Sequence, residues 1–179
     1  KLLDAATRLF HENCYQAVTV NDICEAAQLT KGAFYHHFDS KEALYQHLYT
    51  PQLDTYLASH FSISEDADGK TLLLALADAT LSFSEEIGRE MTSLSITVML
   101  NRGTSHLFTE GRVHTRLLHQ ALSQSQAGNQ LKCEGSEHEL MLIYSCLMVG
   151  FLVKWASLAD ESNFDWHNLL QREMQLMFC

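Results

Sequence analysis

Three helix-capping residues in one short stretch constrain the fold of this chain more than any other feature. In TVNDICEAAQLTKGAFYHHFDSK, residues 19–41, Thr19, Thr30 and Ser40 each stand where a side-chain oxygen can accept from the free N–H groups at a helix start. Asp22 follows Thr19 at capping-box spacing. The intervals leave room for two short helices joined by a tight turn at Gln28–Leu29, followed by the start of another. Ile23, Cys24 and Ala27 form the buried side of the first short helix. In the second, at about 100° per residue, Phe34 and Phe38 point one way while Gly32, Ala33 and His36 point the other. That outer face is too rich in small and hydrogen-bonding residues for a helix whose only task is burial. It suits a recognition helix in the major groove of DNA, which meets base edges with its N-terminal residues.

The rest of the chain is helical in pattern. One proline and eight glycines in 179 residues, with no sustained period-two alternation, predict an all-α protein. Leu2, Ala5, Ala6, Leu9 and Phe10 line one face of a first helix that ends near Glu12, with the turn at Asn13 and Cys14. Ser40 opens a helix carrying Ala43, Leu44, Leu48, Leu53 and Leu57. Pro51 lacks the donor for residue 47 and is expected to kink or restart that helix. A division into residues 1–48 and residues 49–179 is predicted near that point. Beyond it, Asp66 to Lys70 reads as a loop, and Thr71 to Ile87 and Arg89 to Asn101 as two amphipathic segments. Another helix is expected from about Ser105 to Gln126, stopping at Gly128. Ser136 with Glu139 forms a capping box ahead of a segment apolar nearly all round, from Leu140 to Trp155, which must be covered on more than one side. Asp165 is placed to cap the last helix, with Phe164 stapled onto Leu169.

A net charge of −10 excludes a general nucleic-acid coat protein, because nonspecific binding depends on Lys and Arg neutralising phosphates. Any DNA contact must be local. Residues 1–47 carry four Lys and Arg against six Asp and Glu. Five cysteines, none in C-x-x-C spacing, suit reduced thiols in a cytoplasm. The apolar stretch from Leu140 to Val153 reads as too short for a membrane span, and no signal peptide is recognised. The sequence begins at Lys1, already inside a helical pattern, so further residues are expected ahead of it.

Residues 2–48 resemble the DNA-binding domain of the TetR family of bacterial transcriptional regulators. Thr19, Ile23, Ala27, Lys31-Gly32, Phe34-Tyr35, Phe38, Ser40-Lys41-Glu42 and Leu44 carry the resemblance. Residues 49–179 match only in outline, as a helical effector-binding and dimerisation domain would. The resemblance implies a cytoplasmic, homodimeric regulator, most often a repressor released from a palindromic operator by a small molecule. Alternatives are an activator, or a regulator controlled by a protein partner without a small-molecule ligand. The family's usual glycines are replaced by Cys14 and Gln28, at turns that tend to need positive φ.

For the nucleic-acid face, Thr30 caps the recognition helix, Gly32 admits close backbone approach and Ala33 offers a methyl to thymine. Lys31 or His36 can donate to guanine O6 or N7, and His37 flanks that face. The resemblance assigns Tyr35 a phosphate contact; Thr19 and Lys41 sit at helix starts suited to phosphate. Candidate effector-pocket residues put polar or soft groups on apolar helices: Ser82, Phe83, Thr92, Ser95, Ile96, Met99, Phe108, Tyr144 and Met148. Gly150 on the apolar helix, with Trp166, Leu169, Leu170, Met174 and Met177 on the last, predicts a four-helix dimer interface. No nucleophile elbow, phosphate loop or H-E-x-x-H pattern is present, so no enzyme activity, metal or cofactor is expected.

Overall fold

The computed structural model describes residues 1–61, 67–102, 111–158 and 164–178. These residues form eight α-helices and one short 3-10 turn, with no strand among them. α1 (Leu2–Glu12), the 3-10 turn (Tyr15–Ala17), α2 (Val20–Ala27) and α3 (Lys31–His37) make an N-terminal head. α4 (Lys41–His60) leads from it into a body of α5 (Gly69–Arg102), α6 (Val113–Ala127), α7 (Glu137–Ser157) and α8 (Trp166–Phe178).

All three capping residues of the opening stretch act as caps. The Thr19 hydroxyl accepts from Asp22 N–H while the Asp22 carboxylate accepts from Thr19 N–H, completing the box. Thr30 accepts from Ala33 N–H and Ser40 from Ala43 N–H. Each such cap contributes about 1 kcal/mol. Ile23, Cys24, Ala27 and Phe34 join Leu2, Ala5, Ala6, Val18 and Leu44 in one small core, with Phe38 and Leu48 packed against it.

A second and larger core begins at Leu53 and Leu57 on the far half of α4 and runs through α5 to α8. Pro51 does not break α4 between these cores: the helix is continuous from Lys41 to His60. Tertiary bonds hold it on both sides of the missing N–H. Tyr45 donates to the Met91 carbonyl on α5, and Arg112 at the start of α6 donates to the Thr50 carbonyl and to Asp54. Pro51 itself is exposed, so its ring displaces nothing from the core.

The two expected segments before Arg102 follow one another in α5, broken at Gly88, whose φ of 82° is open only to a residue without Cβ strain. Arg89 anchors the segment beyond the break. Its guanidinium donates to the carbonyls of Trp155 and Leu158 at the end of α7 and lies over the Trp155 ring. Gly69 marks the tightest helix approach: a Cβ there would stand 2.2 Å from Ser125 N on α6.

α7 opens at the capping box the sequence pattern marks and runs from Glu137 to Ser157. Its 21 residues, with mean hydropathy 1.7, would suffice by length and composition to cross a membrane. Here it is a core helix, with Leu140, Tyr144, Met148, Leu152 and Trp155 buried. Ser136 and Glu139 form its capping box, and Asp165 accepts from Asn168 N–H at the head of α8. Phe164 lies against the Trp166 ring, centroids 4.8 Å apart.

Candidate nucleic-acid interface and body cavity

α3 buries Phe34 completely and turns Lys31, Gly32, Tyr35, His36 and His37 outward, with Ala33 half-buried. Tyr35 is 55% exposed, and its ring stands edge-on to Phe34. The His36 and His37 rings lie 5.2 Å apart. Lys31 makes no ion pair among the described residues, leaving its ammonium available. Gly32 carries the most pointed information. Its φ is not in the left-handed region, and an added Cβ would meet only Thr30 Oγ1 at 3.7 Å, an ordinary contact. Nothing in the fold requires glycine there, and glycine costs an α-helix about 0.5–1 kcal/mol relative to alanine. The surface it leaves open faces away from the rest of the chain.

Lys41 is turned inward. Its Nζ donates to Tyr15 O at 2.8 Å and Val18 O at 2.6 Å and lies 3.9 Å from the Tyr15 ring centroid. Burial, opposed by the nearby Glu42 and Asp22 charges, draws its pKa below the usual lysine value. The side chain ties the 3-10 turn to the start of α4 and sets where α2 begins. The Thr19 hydroxyl is likewise committed, donating to Asp22 Oδ2 at 2.7 Å. Hydrogen bonds from Thr19 hold the Asp22 carboxyl below its ordinary range, so a negative charge stands at that corner.

Of the two turns lacking glycine, one requires positive φ and the other does not. Gln28 adopts the left-handed conformation at φ 56°, ψ 45°. Cys14 has φ −56°, because the chain leaves α1 through an extended Asn13 and enters the 3-10 turn directly.

In the body, a cavity of about 120 Å³ lies between α4, α5, α6 and α7. Five of the residues picked out in the sequence, Ser95, Ile96, Met99, Tyr144 and Met148, line it. Three other candidates do not. Ser82 is on another side of α5, bonded to the Asp78 carbonyl. Phe83 packs against Tyr49 and Tyr56. Thr92 donates to the Ser84 carbonyl across the Gly88 break. Phe108 lies outside the described residues.

Sequence reasoning missed Tyr45, Tyr49, Thr80, Arg112 and His114, which carry most of the remaining polar groups of the wall. Tyr45 and Tyr49 are spaced i, i+4 on α4, a signal that was present in the sequence. The remaining three are brought in by tertiary packing. Arg112 pairs with Asp54 in bidentate fashion, Nε to one carboxylate oxygen at 3.1 Å and Nη2 to the other at 3.3 Å. Burial, reinforced by the neighbouring Arg112 charge, pushes His114 down to about 4, so its imidazole is neutral at physiological pH.

Tyr45 links the cavity to the head. The Tyr45 hydroxyl bonds to Met91 O and Ser95 Oγ in the body, while its ring stacks edge-on to Phe10 and Tyr15 in the head. Tyr15 is also the ring over which Lys41 sits, and its hydroxyl donates to Glu42. A change at Ser95 therefore has a packed route to the turn that places α2.

Comparison with known proteins agrees with this geometry. The family model described as bacterial regulatory proteins, tetR family, matches residues 2–48. The HTH-type transcriptional repressor KstR2 of Rhodococcus jostii (strain RHA1) is 39% identical over 77 residues, which span 42% of this chain and 38% of that repressor. Two solved structures share the fold along nearly the whole chain. The fatty acid degradation regulator FadR from Bacillus halodurans has a TM-score of 0.66 at 17% identity, covering 98% of this chain and 91% of that one. FadR from Bacillus subtilis, in complex with stearoyl-CoA, has a TM-score of 0.65 at 17% identity, covering 98% and 95%.

Proposed function

The chain belongs, through residues 2–48, to the tetR family of bacterial regulatory proteins, and from that premise we propose that it is a cytoplasmic repressor released from a palindromic operator by a small molecule. The observation that carries the DNA-binding part is the outer face of α3, opened by a glycine that the fold does not need. Lys31, Gly32, Ala33 and His36 read the bases, and Thr30 fixes the start of the reading helix. Tyr35 and His37 meet phosphates beside them. At Thr19 and Lys41 the side chains are engaged within the head. Phosphates there are met by the backbone N–H groups of the first turns of α2 and α4.

Residues 1–48 act as the reading head and residues 49–179 as the effector and dimerisation domain. The dimer forms through α7 and α8, whose outer faces leave Leu142, Val153, Leu176 and Met177 exposed. Gly150 supports this reading, since an added Cβ there meets nothing within 4 Å in the single chain. Two-fold symmetry then presents two α3 helices to two half-sites. The cavity behind α4 is the effector site. A ligand there shifts the balance between two settings of α4 only so far as it favours one of them, and Tyr45 and Arg112 are the contacts through which it does so. The ligand-bound Bacillus subtilis regulator of the same fold supports a body that admits effectors.

Genomic footprinting of the full-length protein, followed by sedimentation on the recovered site, tests the proposal. The expected result is a palindromic footprint bound by a dimer; a protein monomeric at micromolar concentration, or a footprint without dyad symmetry, contradicts it.

A further inference from the structure

Among the described residues around the cavity behind α4, one buried hydroxyl stands out. Tyr144 is 1% exposed and lines the cavity, and its hydroxyl has no hydrogen-bond partner among the described residues. The Thr80 hydroxyl, close enough to Tyr144 to draw its pKa down slightly, gives its own proton to the Leu76 carbonyl at 2.8 Å and makes no bond of hydrogen-bond geometry to the phenol. A buried donor left unpaired is unfavourable, and such groups are rare unless water or a ligand satisfies them. Burial raises the Tyr144 pKa far above that of an ordinary phenol, so the group remains a donor at any physiological pH.

Size and charge narrow what could meet it. The cavity, at about 120 Å³, is close to the roughly 150 Å³ of an engineered cavity that holds a benzene ring. Leu53, Ile96, Val98, Met99, Met148 and Leu152 give it an apolar wall. Arg112 is its one cation among the described residues, and its charge is already paired with Asp54 through Nε and Nη2, Nη2 also donating to the Thr50 carbonyl. His114 is neutral. An anion entering here would lose its hydration and find no uncompensated positive charge.

We infer that the effector is an uncharged, ring-sized, mainly apolar molecule with one hydrogen-bond acceptor, which the Tyr144 hydroxyl takes. This rests on the reading of the cavity as the effector site.

Three probes of similar shape test it by calorimetric titration of the full-length protein: acetophenone (one acceptor), ethylbenzene (none) and benzoate (charged). The wild type is expected to bind acetophenone at least tenfold more tightly than either of the others. Tyr144→Phe is expected to weaken acetophenone about tenfold, the loss of one hydrogen bond, and to leave ethylbenzene unchanged. Benzoate binding as well as acetophenone would overturn the inference, as would a Tyr144→Phe protein with undiminished acetophenone affinity, or failure of both neutral probes to bind. Should that variant not fold, the order of the three probes on the wild type still decides. Operator binding without any probe is measured alongside. If it persists while the probe order fails, only the ligand class is wrong; if it is absent, the regulator reading falls.

Discussion

In the head, every capping hydroxyl has its partner and Lys41 is bonded to two carbonyls, whereas the body leaves Tyr144 Oη, Ser125 Oγ and Trp166 Nε1 buried without one among the described residues. The contrast separates two kinds of construction. The head is a fixed reader: its short helices are pinned by local bonds, and what it offers outward is a face of unengaged side chains. The body is an adjustable container, held by packing and by a few long bonds, with an internal space and an unpaired donor beside it. Under the proposed function, holding one geometry against DNA and admitting a ligand elsewhere calls for both.

The contrast can be broken most forcefully in the body. Gly69→Ala would drive a Cβ to 2.2 Å from Ser125 N and 2.5 Å from Ala121 O, both backbone atoms unable to step aside. The expected cost is about 3 kcal/mol, read by urea unfolding. A variant of unchanged stability would show that α5 and α6 do not approach as described.

In the head, two substitutions that look alike should behave differently. Lys41→Ala removes two charge-assisted hydrogen bonds that position the 3-10 turn, and should cost about 2 kcal/mol of stability, lowering the melting temperature. Tyr35→Ala removes an exposed ring and should leave the melting temperature within a degree or two while weakening operator binding about tenfold. If Tyr35→Ala destabilises as much as Lys41→Ala, the ring belongs to the core of the head and not to its reading face.

A smaller effect concerns pH. His167 on α8 bonds to Asp78 at 2.6 Å and Glu85 at 3.0 Å, both on α5. Burial of the ring works against its charge, but the two carboxylates outweigh it and raise the pKa above that of an ordinary histidine. The charged ring thus stabilises the folded chain fully below the usual imidazole value of about 6.5, and that contribution fades as pH rises through the raised value. Melting temperatures followed from pH 6 upward should fall more steeply for the wild type than for His167→Gln. Parallel curves would contradict the pairing.

How much of this was legible in the sequence follows from how local each feature is. The caps at Thr19, Thr30, Ser40 and Ser136 were readable because each bonds within three residues, and the outward face of α3 because helical periodicity alone decides it. The glycine replaced by Gln28 marked a left-handed residue correctly; Cys14 did not, because the chain could leave α1 by another path. Features set by distant contacts were hidden. Pro51 sits in a continuous helix because Tyr45 ties α4 to α5 and Arg112 ties it to the start of α6, and no local rule foresees that. The inward turn of Lys41 depends on carbonyls 23 and 26 residues away. The cavity was half visible for the same reason: Ser95, Ile96, Met99, Tyr144 and Met148 were chosen by residue type, but which side of α5 faces the space is decided by packing, and this removed Ser82, Phe83 and Thr92.

The sharpest measurement uses Gly32, where the needs of the fold and of the reading face diverge. Gly32→Ala adds a methyl that the chain can hold at ordinary contact distance and removes a poor helix former. Thermal unfolding and an operator titration are made on the same protein. The predicted result is a melting temperature equal to or above that of the wild type, together with operator affinity weakened at least tenfold. A variant that binds the operator as tightly as the wild type would contradict the claim that this face of α3 lies against DNA.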